Sequence, residues 1–312
     1  MTELAVWCGE EAIVGELMDG ADVITGEERG RAIAELLSEA RDLASPPEVC
    51  VRLFELMRSE TAGAKEIGEV IALDPNLTAR LLELVNSAYF GMARRVDTVS
   101  RAVTIVGLRE LHQLVLAVQA VSVFSNIPIT LVDMRTFWRH SVATALLAKE
   151  LARRAGVLHP ERLFVAGLLH DLGSLVLYRE RPEVMRELLI AADGDEAVME
   201  RLEEERLGFG HAELGGALLA CWNLPPELCR AVTHHHRPLE APGPGLEPAI
   251  VHLADGYANT RTDAPFCSDA DLNALFDPRV AERIGLGADD VDAAIGAALP
   301  EVEQTQRILA IG

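Results

Sequence analysis

A histidine and an aspartate lie side by side inside the apolar segment FVAGLLHDLGSLVL, residues 164–177. Burying His170 and Asp171 without partners would be costly, so other groups must compensate the pair. A helix that begins near Pro160 and ends at Gly173 would place both residues close to its C-terminus. The helix dipole disfavours a bare carboxylate at that end and favours a cation. The segment therefore predicts half of a metal site.

Polar residues recur on the apolar faces of four further predicted helices. At about 100° per residue, His140 shares a face with Leu147 and Leu151, and His211 shares one with Leu218. A single buried histidine is usually structural, but a metal centre most simply satisfies so many imidazole and carboxylate groups together. The predicted metal ligands are His140, His170, Asp171, His211, His235, His236 and Asp255.

The predicted helix PELCRAVTHHH ends in three consecutive histidines. Helical geometry continued through them points His235 inward, places His236 about 80° off that face and turns His234 away. We therefore expect His235 and His236, but not His234, to reach the cluster.

Mixed imidazole and carboxylate ligands suit divalent iron, manganese or zinc, so one or two such ions are the predicted cofactor. Because an aspartate has two oxygens, Asp171 could bridge two ions. The first site would contain His140, His170 and Asp255, and the second His211, His235 and His236. A catalytic role is assigned only to a water activated by metal. His252, one helical turn before Asp255, could orient a ligand or shuttle a proton, although a supporting structural role is the stronger interpretation.

Helical periodicity extends through the chain, and no strand pattern or fixed-period repeat is evident, so the predicted fold is all-α. Asp74 and Pro75 predict the cap and first turn of one helix. Ser100 predicts another cap, and Gly107 predicts a break. The segment MRTFWRHSVATALLAKELARRAG, residues 134–156, predicts a long helix closed by glycine.

Several local features receive structural interpretations. Gly215 and Gly216 predict the close approach of a neighbouring backbone. We interpret His112 as a capping or exposed residue rather than a ligand. The acidic run GDEAVMERLEEERLGFG, residues 194–210, is interpreted as a solvated face without a functional role.

Charge and composition exclude several functions. The chain has 28 Lys and Arg against 49 Asp and Glu, a formal charge of -21, which repels phosphate backbones and anionic membranes. Five cysteines are odd in number and lack the close pairing of a zinc ribbon or a redox dithiol, so they predict thiols in a reducing cytosol. No signal-peptide pattern follows Met1, and no apolar run reaches the ~20 residues that span a bilayer. We expect a cytoplasmic protein without direct nucleic-acid binding or membrane insertion.

The order of His140, His170 and Asp171, and Asp255 is similar to the ligand signature of the HD superfamily of metal-dependent phosphohydrolases. Four stretches resemble more specifically the HDOD family of bacterial signalling domains, over roughly residues 44 to 260. They are LDPNLTARLLELVNSAYFG, FVAGLLHDLGSLVLY, CWNLPPELCRAVTHHHRP and IVHLADGYA. The resemblance implies an all-helical fold, an N-terminal bundle followed by an HD-like bundle, and signal transduction without generally established catalysis.

The segment SNIPITLVD, residues 125–133, predicts a connector between subdomains. The predicted organisation is an N-terminal helical extension (1–43), the N-terminal helical subdomain of the HDOD region (44–134) and an HD-like helical subdomain with C-terminal helices (135–312). The last two helices are expected at 269–284 and 289–309, without a ligand cluster.

The ligand set departs from the family pattern, since HDOD members often have degraded ligands. The additional histidines resemble the second-metal ligands of the related HD-GYP phosphodiesterases. However, Ser174 occupies the position of the lysine in their HDxGK pattern, and the GYP motif after the paired histidines is missing, which argues against cyclic di-GMP hydrolysis.

Two functions follow from these features. The first is an HDOD-type signal-transduction and interaction protein with a retained mono- or dinuclear metal site and a protein partner. The alternative is a metal-dependent phosphohydrolase or phosphodiesterase acting on a nucleotide or another phosphorylated small molecule. A redox-active centre that senses iron or oxygen is a third hypothesis. The sequence does not indicate an oligomeric state.

Overall fold

The computed structural model describes residues 26–59, 63–87, 90–92, 94–125, 127, 129–243, 245–261 and 278–311. These residues form α-helices and a short 3-10 helix, and no strand occurs among them. The all-α prediction is therefore confirmed. Predictions that concern residues 1–25 and 269–277 lie outside the described residues.

The helices follow one another through short connections. The first half of the chain contains α1 (Gly26–Glu39), α2 (Arg41–Ala44), α3 (Glu48–Arg58), α4 (Ala64–Ile71), α5 (Pro75–Val85), α6 (Val99–Val106) and α7 (Leu108–Ser125). The second half contains α8 (Met134–Arg154), α9 (Glu161–Leu169), α10 (Leu172–Glu180), α11 (Pro182–Ala192), α12 (Glu196–Leu207), α13 (His211–Cys221), α14 (Pro226–Thr233), α15 (Leu246–Arg261), α16 (Pro278–Ile284), α17 (Ala288–Ala298), the 3-10 helix (Leu299–Glu301) and α18 (Val302–Leu309).

Helix α5 begins at the predicted cap. Asp74 Oδ1 accepts hydrogen bonds from the backbone N–H groups of Asn76 and Leu77 at 2.9 and 3.0 Å, and Pro75 occupies the first turn. These bonds satisfy donors that the first helical turn leaves without intrahelical partners.

The boundaries of α6 differ from the prediction at one end. Gly107 ends the helix with a φ of +99°, as expected for a break at glycine. Thr98 caps its start, because Thr98 Oγ1 accepts a hydrogen bond from the backbone N–H of Arg101 at 3.3 Å. The prediction that Ser100 is the cap is therefore wrong, since Ser100 lies inside the helix.

Helix α8 is the centre of the second half and spans the predicted segment. Asp133 caps it by accepting a hydrogen bond from the backbone N–H of Arg135 at 3.2 Å. The helix packs against α9, α15 and α17. A Cβ placed on Gly167 of α9 would lie 2.8 Å from the Cα of Ala145, so glycine permits the two helices to approach this closely.

Helix α7 joins the N-terminal helices to the rest of the molecule. It packs against α3, α5 and α6 and also contacts α9. The C-terminal helix α18 contacts α5, α7 and α8. Buried apolar side chains form one core cluster from Ile33 to Ile311. No helix in the described part of the chain is long and apolar enough to cross a membrane.

The helix predicted over residues 289–309 is interrupted. Helix α17 ends at Ala298, and the chain passes through the 3-10 helix before α18 begins. Pro300 lies at this interruption and has no backbone N–H to donate to a continuous α-helix. The prediction of one uninterrupted helix is therefore wrong.

One prediction about a side chain is also corrected. His112 is buried inside α7, and its Nε2 lies 3.4 Å from the carbonyl oxygen of Cys50, so it is neither a cap nor exposed. Cys50 is a free thiol.

Candidate metal centre

The structure brings all seven predicted ligands together. They are His140 in α8, His170 directly after α9, Asp171 directly before α10, His211 at the start of α13, His235 and His236 after α14, and Asp255 in α15. Among the described residues, these side chains form several groups that could each hold a metal ion. Within each group, the ligand atoms lie within 4.8 Å of one another. The assignment of these residues as metal ligands stays a prediction, but their convergence is a property of the fold.

The first group consists of His140, His170 and Asp255. His140 Nε2 lies 3.0 Å from Asp255 Oδ1 and 3.2 Å from His170 Nε2. The distance from His170 Nε2 to Asp255 Oδ1 is 3.5 Å. Two imidazole nitrogens and one carboxylate oxygen thus face a common point, as the donors of one metal ion would.

The second group consists of His211, His235 and His236. The Nε2 atoms of His211 and His236 are 2.8 Å apart. The rings of His235 and His236 are adjacent, with centroids 3.9 Å apart. Imidazoles this close together cannot all carry protons on the nitrogens that face one another. They are suited instead to the shared coordination of a cation.

Asp171 lies between the two groups, and each of its oxygens faces a different one. Oδ2 is 3.3 Å from His170 Nε2 and 3.9 Å from His140 Nε2. Oδ1 is 3.5 Å from His211 Nε2 and 3.8 Å from His235 Nε2. This is the arrangement that a carboxylate bridging two metal ions requires.

Several buried polar atoms of the cluster have no hydrogen-bond partner, among them Asp171 Oδ1 and His235 Nε2. An unpartnered buried polar atom typically costs about 1–3 kcal/mol, and more where the group is charged. Metal coordination would satisfy both atoms at once. The residues therefore fit a metal centre on chemical grounds.

Backbone carbonyls fix the orientation of two histidine ligands. His170 Nδ1–H donates to the carbonyl oxygen of Gly167 at 2.8 Å, and His235 Nδ1–H donates to that of Val232 at 2.6 Å. A proton on Nδ1 leaves Nε2 of each ring available as a donor to metal.

His252 has a supporting position behind this arrangement. Its Nδ1–H donates to the backbone carbonyl oxygen of His235 at 2.8 Å. The contact agrees with the structural interpretation of His252, because it holds the segment that carries two ligands.

Sequence analysis missed Glu203, which orients His211. One carboxylate oxygen of Glu203 accepts hydrogen bonds from the backbone N–H of His211 at 2.8 Å and from its Nδ1 at 2.7 Å. Glu203 is fully buried, so the interpretation of residues 194–210 as a solvated face is wrong at this position. A carboxylate behind a ligating imidazole fixes its tautomer and raises its basicity as a ligand.

Glu196, in the same acidic segment, also reaches the cluster. Its carboxylate, with His236 and Asp255, forms a further group of possible ligands. Asn259 Nδ2 connects the two carboxylates by donating to Glu196 Oε2 at 2.9 Å and to Asp255 Oδ1 at 3.2 Å. Glu196, the buried Met199 and Glu203 are spaced at i, i+3 and i+7, which is one face of a helix and was the available signal.

The cluster perturbs the ionisation of its members. Burial alone would lower the pKa of His211, but the Glu203 and Asp171 carboxylates outweigh it and raise that pKa to about 10. Burial and the nearby His170 lower the pKa of His235 to about 3. Burial opposes the charge of Asp171, yet His170 and His211 hold the pKa of that carboxyl well below its usual value. A charged Asp171 and a neutral His235 are the protonation states that metal ligation needs.

Gly173 does not end the helix as predicted. The helix ends at Leu169, and Gly173 lies inside α10. A Cβ at Gly173 would overlap the carbonyl oxygen of His211 and lie 2.8 Å from the backbone nitrogen of Gly215. Glycine is needed here because α10 and α13 cross in backbone contact, which brings Asp171 to His211. The expectation of close backbone approach at Gly215 is confirmed, since its built Cβ lies 3.4 Å from the Gly173 nitrogen.

None of the three consecutive histidines is helical. Helix α14 ends at Thr233, so His235 and His236 occupy the turn that follows it. His235 is completely buried, and the side chain of His236 is 9% exposed. The turn directs both rings to the cluster.

The fold and the cluster define a helical protein with a buried histidine and aspartate centre that could hold metal. The sequence matches the HDOD domain family over residues 43–238, and the chain belongs to this family. The predicted family is therefore confirmed.

Similar proteins support this assignment. An uncharacterised protein from Treponema pallidum (strain Nichols) is 32% identical over 201 residues, which are 63% of this chain and 38% of that relative. The chain thus corresponds to well under half the length of the relative. The crystal structure of an HDOD domain protein of unknown function from Geobacter sulfurreducens shares 25% identity, covers 89% of this chain and 97% of that one, and has a TM-score of 0.70. A candidate phosphohydrolase from Shewanella amazonensis SB2B shares 27% identity, covers 89% and 98% of the two chains and has a TM-score of 0.66.

Proposed function

We propose that this protein is a cytoplasmic HDOD signalling module that acts on a protein partner, and that its helical bundle is built around a dinuclear metal centre. The observation that carries the proposal is the position of Asp171, whose two oxygens face two separate groups of histidines at 3.3 to 3.9 Å. A carboxylate that served only as a hydrogen-bond acceptor would not need both groups.

Two separate sets of ligands would hold the two cations. His140, His170 and Asp255 would bind one, while His211, His235 and His236 would bind the other. Since these ligands come from α8, α9, α13, α14 and α15 or the turns beside them, occupancy would cross-link five helices of the second half. Binding energy of this kind adds directly to the stability of the fold.

Two observations favour a structural and signalling role over turnover. His170 and His235 are completely buried, so their side of the cluster is closed to a substrate. Ser174 is 6% exposed in α10 and provides no cation at the position where the HD-GYP pattern places a lysine.

A second candidate function is hydrolysis of a phosphate ester, and one observation favours it. The side chain of Glu196, beside His236 and Asp255, is 34% exposed and marks an edge where the cluster meets solvent. Bound divalent metals lower the pKa of a coordinated water toward ~7 and polarise a phosphoryl oxygen. Glu196 would lie where it could hold or release a proton at its Oε1 atom.

Metal analysis tests the primary proposal. Protein purified without added metal should contain about two equivalents of iron, manganese or zinc per chain by plasma mass spectrometry. Asp171→Ala should retain less than about half of that content, because both sites lose a ligand. His159→Ala is the matched control, since the His159 side chain is 43% exposed and lies outside the cluster. A wild-type protein that holds only trace metal, before and after incubation with each ion, would refute the proposal.

Hydrolysis is tested separately on metal-loaded protein. Cyclic dinucleotides, nucleotides and bis(p-nitrophenyl) phosphate form the substrate panel, with Asp171→Ala as the inactive control. Metal-dependent turnover that is lost in Asp171→Ala would establish the second candidate. Metal retention without turnover of any substrate would exclude it and leave the module.

A further inference from the structure

The seven candidate ligands of the metal centre are poorly accessible from water. Their side chains are between 0% and 15% exposed, and those of His170 and His235 are completely buried. A cation that arrives from water must exchange its bound water molecules for protein ligands, so a buried metal centre requires an entry path. Such a path begins at a ligand that is still in contact with solvent.

Glu196, the first residue of α12, lies at the solvent edge of the centre. Its side chain is 34% exposed, against 15% for Asp171, the most exposed of the seven ligands. Glu196 Oε1 lies 3.9 Å from His236 Nε2, and ligand atoms of Glu196, His236 and Asp255 all lie within 4.8 Å of one another. We call these three residues the edge group. Two carboxylates and one imidazole are a suitable donor set for a divalent cation.

The edge group shares one residue with each of the two buried groups. His236 also belongs to the second group, and Asp255 also belongs to the first. The same atom of His236, Nε2, lies 3.9 Å from Glu196 Oε1 and 2.8 Å from His211 Nε2. Since an imidazole nitrogen has one lone pair, it binds one cation at a time. The edge group therefore cannot hold a cation through His236 while His236 binds an ion of the second group. Its occupancy is temporary, and a cation in it lies next to ligands of both groups.

The edge group is held in place before a cation arrives. Asn259 Nδ2 donates hydrogen bonds to Glu196 Oε2 at 2.9 Å and to Asp255 Oδ1 at 3.2 Å, and so keeps the two carboxylates near each other. Ligands that are fixed in this way lose little freedom on binding. The formal charge of -21 adds a negative field, which raises the concentration of cations near the protein.

We propose that Glu196 is the entry ligand of the metal centre. It binds a divalent cation from solvent together with His236 and Asp255, and the cation then moves to the first or the second group by exchanging Glu196 for the buried ligands. This role rests on the proposed dinuclear centre. Because Glu196 is not a ligand of the filled centre, it sets the rates of metal uptake and release but not the number of bound ions or their affinity.

Zinc exchange measured on Glu196→Gln tests this proposal, because the glutamine keeps an oxygen for Asn259 and removes the charge. Uptake is followed by stopped-flow mixing of the chelator-stripped full chain with limiting Zn²⁺ and a zinc-sensitive dye. Release is followed by mixing the zinc-loaded full chain with an excess of a chromophoric chelator. Both rates should fall by about tenfold or more, while zinc content and affinity stay at their wild-type values. Glu205→Gln is the matched control and should exchange zinc at the wild-type rates, because Glu205 has a 65% exposed side chain in the same helix and belongs to none of the ligand groups among the described residues.

Three different results would overturn the proposal. Equal exchange rates in Glu196→Gln and the wild type would show that cations enter by another route. Faster release from Glu196→Gln, with a lower zinc content, would make Glu196 a ligand of the filled centre instead. A wild-type protein that holds none of zinc, iron or manganese would refute the dinuclear centre itself. Because release is measured on protein that is already loaded, this measurement decides the question even if a stripped variant fails to fold.

Discussion

Replacement of Glu203 by glutamine removes one negative charge from a fully buried position and keeps the shape of the side chain. In the wild-type protein, one Glu203 oxygen accepts two hydrogen bonds from His211, at 2.8 Å from the backbone nitrogen and at 2.7 Å from Nδ1. A glutamine has one acceptor oxygen and turns an N–H₂ group toward the other position. Because both hydrogen bonds converge on one oxygen, the glutamine oxygen can still accept them, but the attraction between the carboxylate and the imidazole is lost.

The expected size of the effect follows from these contacts. A hydrogen bond to a charged group contributes about 1.5–3 kcal/mol, so Glu203→Gln should lower the free energy of unfolding by about 2 kcal/mol. Loss of the carboxylate behind a ligating imidazole typically costs 10–100-fold in metal affinity, so the site that contains His211 should weaken by ~10-fold or more.

Urea unfolding in the presence of a chelator measures the first effect, and zinc titration against a competing chelator measures the second. Glu205→Gln is the matched control, because Glu205 has a 65% exposed side chain in the same helix and only a surface contact with Arg201. If Glu203→Gln matched Glu205→Gln in both urea midpoint and zinc affinity, the assigned role of Glu203 would be wrong.

Three further outcomes follow from the fold. Gly173→Ala should destabilise the protein by about 3 kcal/mol or more in thermal unfolding, because the new Cβ overlaps the His211 carbonyl. The control substitution Gly296→Ala meets open space in α17 and should stabilise the protein by up to about 1 kcal/mol. Equal effects of the two substitutions would contradict the packing argument. Asn86→Ala should lower the free energy of unfolding in urea by about 2–3 kcal/mol, because it removes the hydrogen bonds to Leu82 and Val96. Asn76→Ala should change that free energy by no more than about 0.5 kcal/mol. An Asn86→Ala protein as stable as the wild type would refute the role of these bonds. With chelator present, the pKa of His211 is raised to about 10, so the stabilising effect of the protonated imidazole is complete below the ordinary pKa of ~6.5 and is lost as the pH rises toward 10. The wild-type free energy of unfolding should therefore fall more over this pH range than that of Glu203→Gln. Parallel curves for the two proteins would contradict the coupling of Glu203 to His211.

Local sequence signals were sufficient for much of the helical framework. The Asp74 cap, the break at Gly107 and the full length of α8 follow from side-chain chemistry within a few residues of each boundary, so no distant contact was needed. The cap of α6 was misplaced because Thr98 and Ser100 are both good capping residues, and only the backbone conformation selects Thr98.

Long-range contacts decided what local patterns could not. His112 stands in an apolar helix beside polar residues, and only the packing of α3 on α7 places the Cys50 carbonyl within 3.4 Å of its ring. The interpretation of the acidic segment was wrong for the same reason. An exposed and a buried glutamate look alike in the sequence, and only the tertiary contact with a partner such as His211 distinguishes them.

The sequence by itself determined the all-helical class, the HDOD family and the seven residues that converge, because imidazoles and carboxylates on apolar helical faces have few alternatives to a shared cation. The tertiary structure alone decided how they meet. The crossing of α10 and α13 at Gly173 brings His211 to one oxygen of Asp171, while His170 faces the other. The turn after α14 directs His235 and His236 inward, and Glu203 and Glu196 enter from a helix that sequence reasoning had placed in solvent. Distances of 3 to 4 Å between residues far apart in the chain depend on how whole helices pack, and helical periodicity fixes only the direction in which each side chain leaves its own helix.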